Sequence, residues 1–207
     1  MSGRPKKPPK SKPTWSDIKG KLADFDRAGL IQLVSDLYSY NKDNQTFLHA
    51  RFALTQNALE AYKKRISHAL YPDIGRRDVD PSVTTARKAI SDYTKAVGNP
   101  LGILELRVFW CETAVEFSRN YSYSDIGYFE ALLRQYRDAC RMLPDVSGPQ
   151  LTQYLERMQK LQDDAIHIGY GVSMEMDDLL DDVLGILPES TEEARIPTIG
   201  DKDSSDF

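Results

Sequence analysis

Cysteine and histidine are scarce in this chain: two cysteines, Cys111 and Cys140, and three histidines, His49, His68 and His167, in 207 residues. The cysteines are too few and too far apart for a disulfide framework or a zinc knot. Each sits inside an apolar helical pattern, where a free cysteine acts as a small buried hydrophobe. The histidines share no metal-ligand spacing, and no Ser-His-Asp or Cys-His set has a supporting local motif. No phosphate-binding loop or Gly-x-Gly-x-x-Gly turn occurs, so nucleotide binding has no support. No stretch approaches the ~18 consecutive apolar residues of a membrane span. The basic N-terminus is followed by no apolar run, so no secretory leader is expected. A cytoplasmic location, away from any membrane, follows from these absences.

Charge is present but segregated. Residues 1–16 carry Arg4, Lys6, Lys7, Lys10 and Lys12 and no acid, whereas residues 188–207 carry six acids against Arg195 and Lys202. Such ends cannot bury enough apolar surface to order themselves. The expected organisation is therefore a disordered basic tail over 1–13, one helical domain over 14–187, and a disordered acidic tail over 188–207.

Between the tails the apolar residues recur at helical spacing and strand-like alternation is absent. Thr14 to Asp17 reads as a capping box with Asp in place of Glu. Asp26 caps a second helix whose Leu30, Leu33, Val34 and Leu37 form one stripe. Asn41 to Asn44 interrupts, and a third helix should carry Phe47, Leu48, Phe52 and Leu54. A fourth, with Leu59, Tyr62, Ile66 and Leu70, stops at Pro72. Residues 72–82 read as a loop, and Ser82 opens a helix that ends at Gly98 and Pro100. The most apolar helix starts at Leu101 and should be central. Ser124 is expected to cap the next, Pro149 to start another, and Gly169 with Gly171 to break it before a last helix over about Met174 to Leu184. The sum is an all-α bundle of about eight or nine helices, mostly paired.

Several of these stretches resemble a family of uncharacterised small helical bacterial proteins. The likeness is carried by Trp15-Ser16-Asp17-Ile18-Lys19, Phe47-Leu48-His49-Ala50-Arg51-Phe52, Lys88-Ala89-Ile90-Ser91-Asp92-Tyr93, and Gly169-Tyr170-Gly171-Val172 with Met176-Asp177-Asp178-Leu179-Leu180. It implies a small cytosolic helical protein and no particular activity. Where the family pattern continues with Gly-Asp-Asp, this chain has Ser173-Met174-Glu175.

Two clusters invite chemistry. The stretch Asp163 to Asp182 holds seven carboxylates and no Lys or Arg, beside His167 and the Gly169-Tyr170-Gly171 break. On a helix Asp177 and Asp181 share a face. With Asp178 they match the spacing of the aspartate-rich motif of isoprenoid diphosphate synthases, which would suit Mg²⁺ and a diphosphate. The bland alternative places Asp177 and Asp178 in the first turn of the last helix, where negative charge suits the helix dipole.

The second cluster is basic: Lys63, Lys64 and Arg65, with His68 nearby, then Arg76 and Arg77 in the loop, then Arg87 and Lys88. Cations on one rim can follow a phosphate backbone, or can simply be solvated surface.

Three functions remain open at this level. The first is a non-enzymatic protein–protein interaction module without a cofactor. The second is a Mg²⁺-dependent phosphate- or diphosphate-handling enzyme using Asp177, Asp178 and Asp181, with His167 and Tyr170 adjacent. The third is a nucleic-acid binder using the basic cluster and the N-terminal tail.

Overall fold

A computed structural model describes residues 12–55, 57–72 and 80–187. The basic and acidic tails therefore lie, but for Lys12 and Pro13 of the first, outside the described residues, as do Arg76 and Arg77. Among the described residues there are nine α-helices, one 3-10 turn and no strand, the all-α bundle that the periodicity implies. The helices fall into two compact units, 1–48 and 49–207.

The N-terminal unit is built on local capping. In α1 (Trp15–Leu22) the Asp17 carboxylate accepts the Thr14 backbone N–H at 2.7 Å and the Thr14 hydroxyl at 2.8 Å. The Thr14 backbone N–H, and then its hydroxyl, hold Asp17 below the usual carboxylate range. Asp26 caps α2 (Arg27–Tyr40) as expected, accepting the Gly29 N–H at 2.7 Å. Asn41 is extended and separates α2 from α3 (Lys42–Arg51) by one residue, a shorter break than the sequence suggests. Its side chain accepts the Asn44 N–H at 2.8 Å, and Asn44 donates to the Leu37 carbonyl at 2.6 Å. Hydrogen bonds thus close every joint, yet α1 and α2 bury no residue at all.

The boundary between units falls inside α3. The expected stripe through Phe52 and Leu54 does not form, because α3 stops at Arg51 and Ala53 takes a left-handed conformation with φ 52°. Both apolar side chains are left exposed.

The larger unit is organised by α6 (Pro100–Tyr121), the central helix expected from its composition. Asn99 caps it, accepting the Gly102 N–H at 2.9 Å, and Pro100 occupies the first turn, where its missing N–H is harmless. Residues from all round this helix are buried, among them Leu104, Leu106, Trp110, Val115 and Phe117. Its buried hydroxyls are satisfied internally: Thr113 donates to the Phe109 carbonyl at 2.8 Å and Ser118 to Ala114 at 2.9 Å.

Four helices pack on α6: α4 (Ala58–Leu70), α5 (Val83–Ala96), α7 (Ile126–Cys140) and α8 (Pro149–Ala165). The last helix, α9 (Val172–Leu184), lies against α7 and α8. Both cysteines are buried and free, as their positions imply. Burial pushes the Cys140 thiol up to about 12 and raises the Cys111 thiol well above its ordinary value, so neither is a thiolate at neutral pH.

Tyr62 and Tyr93 meet edge to face at 5.4 Å between ring centroids, tying α4 to α5 in the core. Tyr93 also covers Gly102, where a Cβ would overlap the tyrosine hydroxyl and ring. Alanine normally stabilises a helix relative to glycine. Here the overlap should reverse the sign, and Gly102→Ala is expected to cost about 1–3 kcal/mol in a urea titration. Tyr93→Phe in the same chain removes the nearest atom and should recover part of the loss.

Candidate functional site

The basic cluster is placed on α4 and α5, which are packed neighbours, but most of its described charge is already matched. Lys63 lies 2.7 Å from Glu105 and 3.7 Å from Glu60, with its ammonium over the Phe109 ring. Arg65 meets Asp92 at 3.0 Å, and Lys88 meets the same carboxylate at 3.3 Å. Lys64, Arg87 and His68 are exposed. Tyr62 and Tyr93 are core residues and cannot stack on bases. The arrangement ties two helices together and leaves only part of the cluster facing water.

The acidic segment differs from its reading in one respect that matters. The last helix begins at Val172, so its first-turn acid is Glu175, and Asp177 and Asp178 fall in the second turn. The dipole argument therefore applies to Glu175, which also receives Arg137 at 2.6 Å. Val172, Met176, Leu180 and Val183 form the buried side, and Asp177, Asp178, Asp181 and Asp182 the exposed one. Asp177 accepts the Gln162 amide at 3.0 Å. Partial burial, and then the neighbouring Asp181 and Asp178, push its carboxyl above the usual range. Among the described residues no group of three or more His, Cys, Asp or Glu side chains is arranged to hold a metal ion.

The break before α9 is a run of three left-handed residues, Gly169, Tyr170 and Gly171, with φ of 82°, 54° and 71°. The glycines adopt this freely; Tyr170 does not. The tyrosine is held by its ring against Phe129, 5.4 Å between centroids, and by a 3.0 Å hydrogen bond between its hydroxyl and Ser124. That bond occupies the side chain expected to cap α7. Asp125 caps the helix instead, accepting the Tyr128 N–H at 2.7 Å. His167 is exposed beside this turn.

One polar network escapes a sequence reading because its members are far apart in the chain. Arg157 of α8 spans two carboxylates of α6, reaching Glu105 at 2.6 Å and Glu112 at 2.7 Å. Tyr154 donates to Glu105 at 3.1 Å, and Lys63 closes the group from α4. Below it, a groove of about 360 Å³ runs between α6 and α8, floored by Val115 and Leu161. Arg119 and Lys160 on its rim both pair with Asp164, at 2.7 and 2.8 Å. The rim charges balance, which suits helix packing rather than a ligand of one sign.

An apolar surface is exposed as well. Along α2, Leu30 is 40% exposed, Val34 46%, Leu37 50% and Ile31 60%, and Trp15 and Ile18 of α1 are exposed as well. Sequence reading finds the stripe of Leu30, Leu33, Val34 and Leu37 but not what it meets. The signal that distinguishes it is poverty of charge: Arg27 and Asp36 are the only charged residues in the 14 of α2, against 28% for the chain. A surface helix of ordinary kind has a charged outer face, whereas interface cores are depleted of charge.

Burial pushes Glu105 up, but hydrogen bonds and charge from Arg157 and Lys63 outweigh it, and the carboxyl titrates below the ordinary glutamate value. A depressed folded pKa gives stability above the unfolded value, lost as pH falls through the folded one. In Arg157→Ala the burial of Glu105 is offset only by Lys63 and the Tyr154 hydroxyl. The variant is expected to lose about 2–4 kcal/mol near neutral pH. Its acid-side loss should also begin at higher pH than in the parent, measured by urea midpoints between about pH 3 and 7. At the acidic helix, the missing third donor predicts that millimolar Mg²⁺ leaves the melting temperature unchanged. A rise that disappears in Asp177→Asn would restore the metal site.

Comparison with known protein families, with curated proteins and with solved structures finds no match to this chain.

Proposed function

We propose that this protein is a non-enzymatic protein–protein interaction module, docking through the apolar face of α2. One observation carries the reading: the N-terminal unit exposes a charge-poor apolar stripe that buries nothing of its own. Scattered exposed hydrophobes are ordinary, but a contiguous patch on a capped helix marks an association surface.

The rest of the molecule supports the same reading by what its charges do. Arg157, Arg65, Lys63 and Arg137 each hold a carboxylate of another helix. They are committed to the scaffold rather than gathered around a substrate. The larger unit is then the folded body that carries the docking helix. No helix among the described residues is long and apolar enough to cross a membrane, so the face of α2 is not one side of a spanning segment.

In a fresh extract of its own cells, the tagged chain should migrate well above the size of a single 23.5 kDa chain. Val34→Asp should bring it down to that size while leaving the melting of the larger unit within about 0.5 kcal/mol. Migration as a single chain with and without the substitution would sink the proposal.

A further inference from the structure

The last two helices form a hairpin that their apolar pattern does not require. The buried residues of α8 are Leu151, Leu155, Met158, Leu161 and Ala165, and those of α9 are Val172, Met176, Leu180 and Val183. From Ala165 to Val172, across the turn, the step is seven residues, which is two helical turns. The buried row therefore keeps one phase straight through the turn, as it would in a single helix over 149–184. Two helices joined by a turn have no need to share a phase.

The helix is broken by backbone conformation alone. A Cβ at Gly169 or Gly171 would meet nothing within 4 Å outside the adjoining residues, so these glycines serve their left-handed φ and not a close fit. Tyr170, between them at φ 54°, has no such freedom and is held in a costly conformation by Phe129 and Ser124.

The seat of α9 is a groove between two helices. α7 and α8 pack on α6 and on α9 but scarcely on each other. The polar links of α9 are Arg137 to Glu175 at 2.6 Å, Gln162 to Asp177 at 3.0 Å, and Ser173 to the Gln162 carbonyl at 3.1 Å. Neither these nor the apolar contacts depend on which copy of the chain supplies the helix.

We infer that residues 166–171 are a hinge through which α9 exchanges between two copies of this chain. In the exchanged form α8 and α9 run on as one helix, and each α9 fills the groove of the other copy. The groove selects this occupant because α9 already fills it. Packing of α9 on α7 and α8 is remade across the two copies, so the forms differ chiefly at the turn. Exchange gives up the Tyr170 contacts and releases three left-handed residues. Short connections under strain favour such swapping.

The test uses the full-length chain carrying Val34→Asp, which keeps the face of α2 out of the measurement. Concentrated, warmed to the foot of its melting transition and cooled, it should give a monomer and a minor dimer by size exclusion. Gly169→Ala with Gly171→Ala penalises the turn and favours the continuous helix. The pair should raise the dimer's share by more than about tenfold. Gly-Ser-Gly-Ser inserted between Ile168 and Gly169 slackens the hinge and should abolish the dimer.

The native thiols give a second readout. Cys140 continues the row of α7 through Phe129 and Tyr136, which meets Tyr170 and α8, whereas Cys111 lies against the Leu132 carbonyl between α6 and α7. Opening of α9 uncovers Cys140 first. In the monomer fraction the alanine pair should therefore quicken labelling of Cys140 and leave Cys111 unchanged. Quickening of both thiols marks global unfolding, and the parent and insertion chains then decide by their dimer shares. A dimer whose share ignores the hinge variants overturns the exchange. So does its absence from parent and alanine chains alike, or a Cys140 rate that the alanine pair does not move.

Discussion

Arg157 makes the larger unit possible in its present form. A helix buried on nearly all sides must satisfy whatever charge it carries, and α6 carries Glu105 and Glu112 towards α8. Left alone in its half-buried setting, the Glu105 carboxylate would protonate or force the helices apart. One guanidinium answers both carboxylates, because its planar fork donates along two edges at once. Lys63 then brings α4 to the same carboxylate, and Tyr154 adds a neutral donor. Three helices are set in register by one group, and the apolar packing of Leu104, Trp110 and Phe117 follows from that placement.

Once this network is in place, the remaining polar groups of the larger unit fall into a pattern of local closure. Asp92 ties α5 to α4 through Arg65, Asp164 ties α8 to α6 through Arg119, and Glu175 ties α9 to α7 through Arg137. These outer pairs are each worth little, since exposed ion pairs are screened and cost side-chain entropy. Together they fix which helix lies beside which. In the N-terminal unit Thr14, Asp17, Asp26, Asn41 and Asn44 make short-range caps and joints. Caps define where helices begin and end but supply no core.

That contrast also explains how far the sequence could be read. Capping residues announce themselves locally, so Asp26, Ser82 and the Gly98–Pro100 stop are legible, and so is the centrality of α6. Ser124 misleads because two adjacent residues can both cap, and its hydroxyl is taken by Tyr170. The start of α9 is hidden by Gly171, whose left-handed φ of 71° lets the helix begin at once where a break is expected. Ion pairs such as Arg157 with Glu105 are separated by 52 residues and leave no local trace. The stripe on α2 is a different case. Periodicity reports that one side of a helix is apolar, and says nothing of whether that side meets the same chain or another. Only the count of charges on the remaining sides separates the two.

The acidic face of α9 has a physical consequence of its own. Four carboxylates one turn apart, Asp177 with Asp181 and Asp178 with Asp182, repel by a few tenths of a kcal/mol per pair in a helix. The buried side of α9 needs none of them, since Val172, Met176, Leu180 and Val183 make its contacts with α7 and α8. Such repulsion disfavours bringing two copies of that face together, and strong hydration makes it costly to cover with apolar surface. The same chain leaves α2 almost free of charge. An association surface is specified as much by where contact is penalised as by where it is rewarded. A carboxylate-rich α9 and a charge-poor α2 give this molecule one face that is costly to cover and one that is much less so.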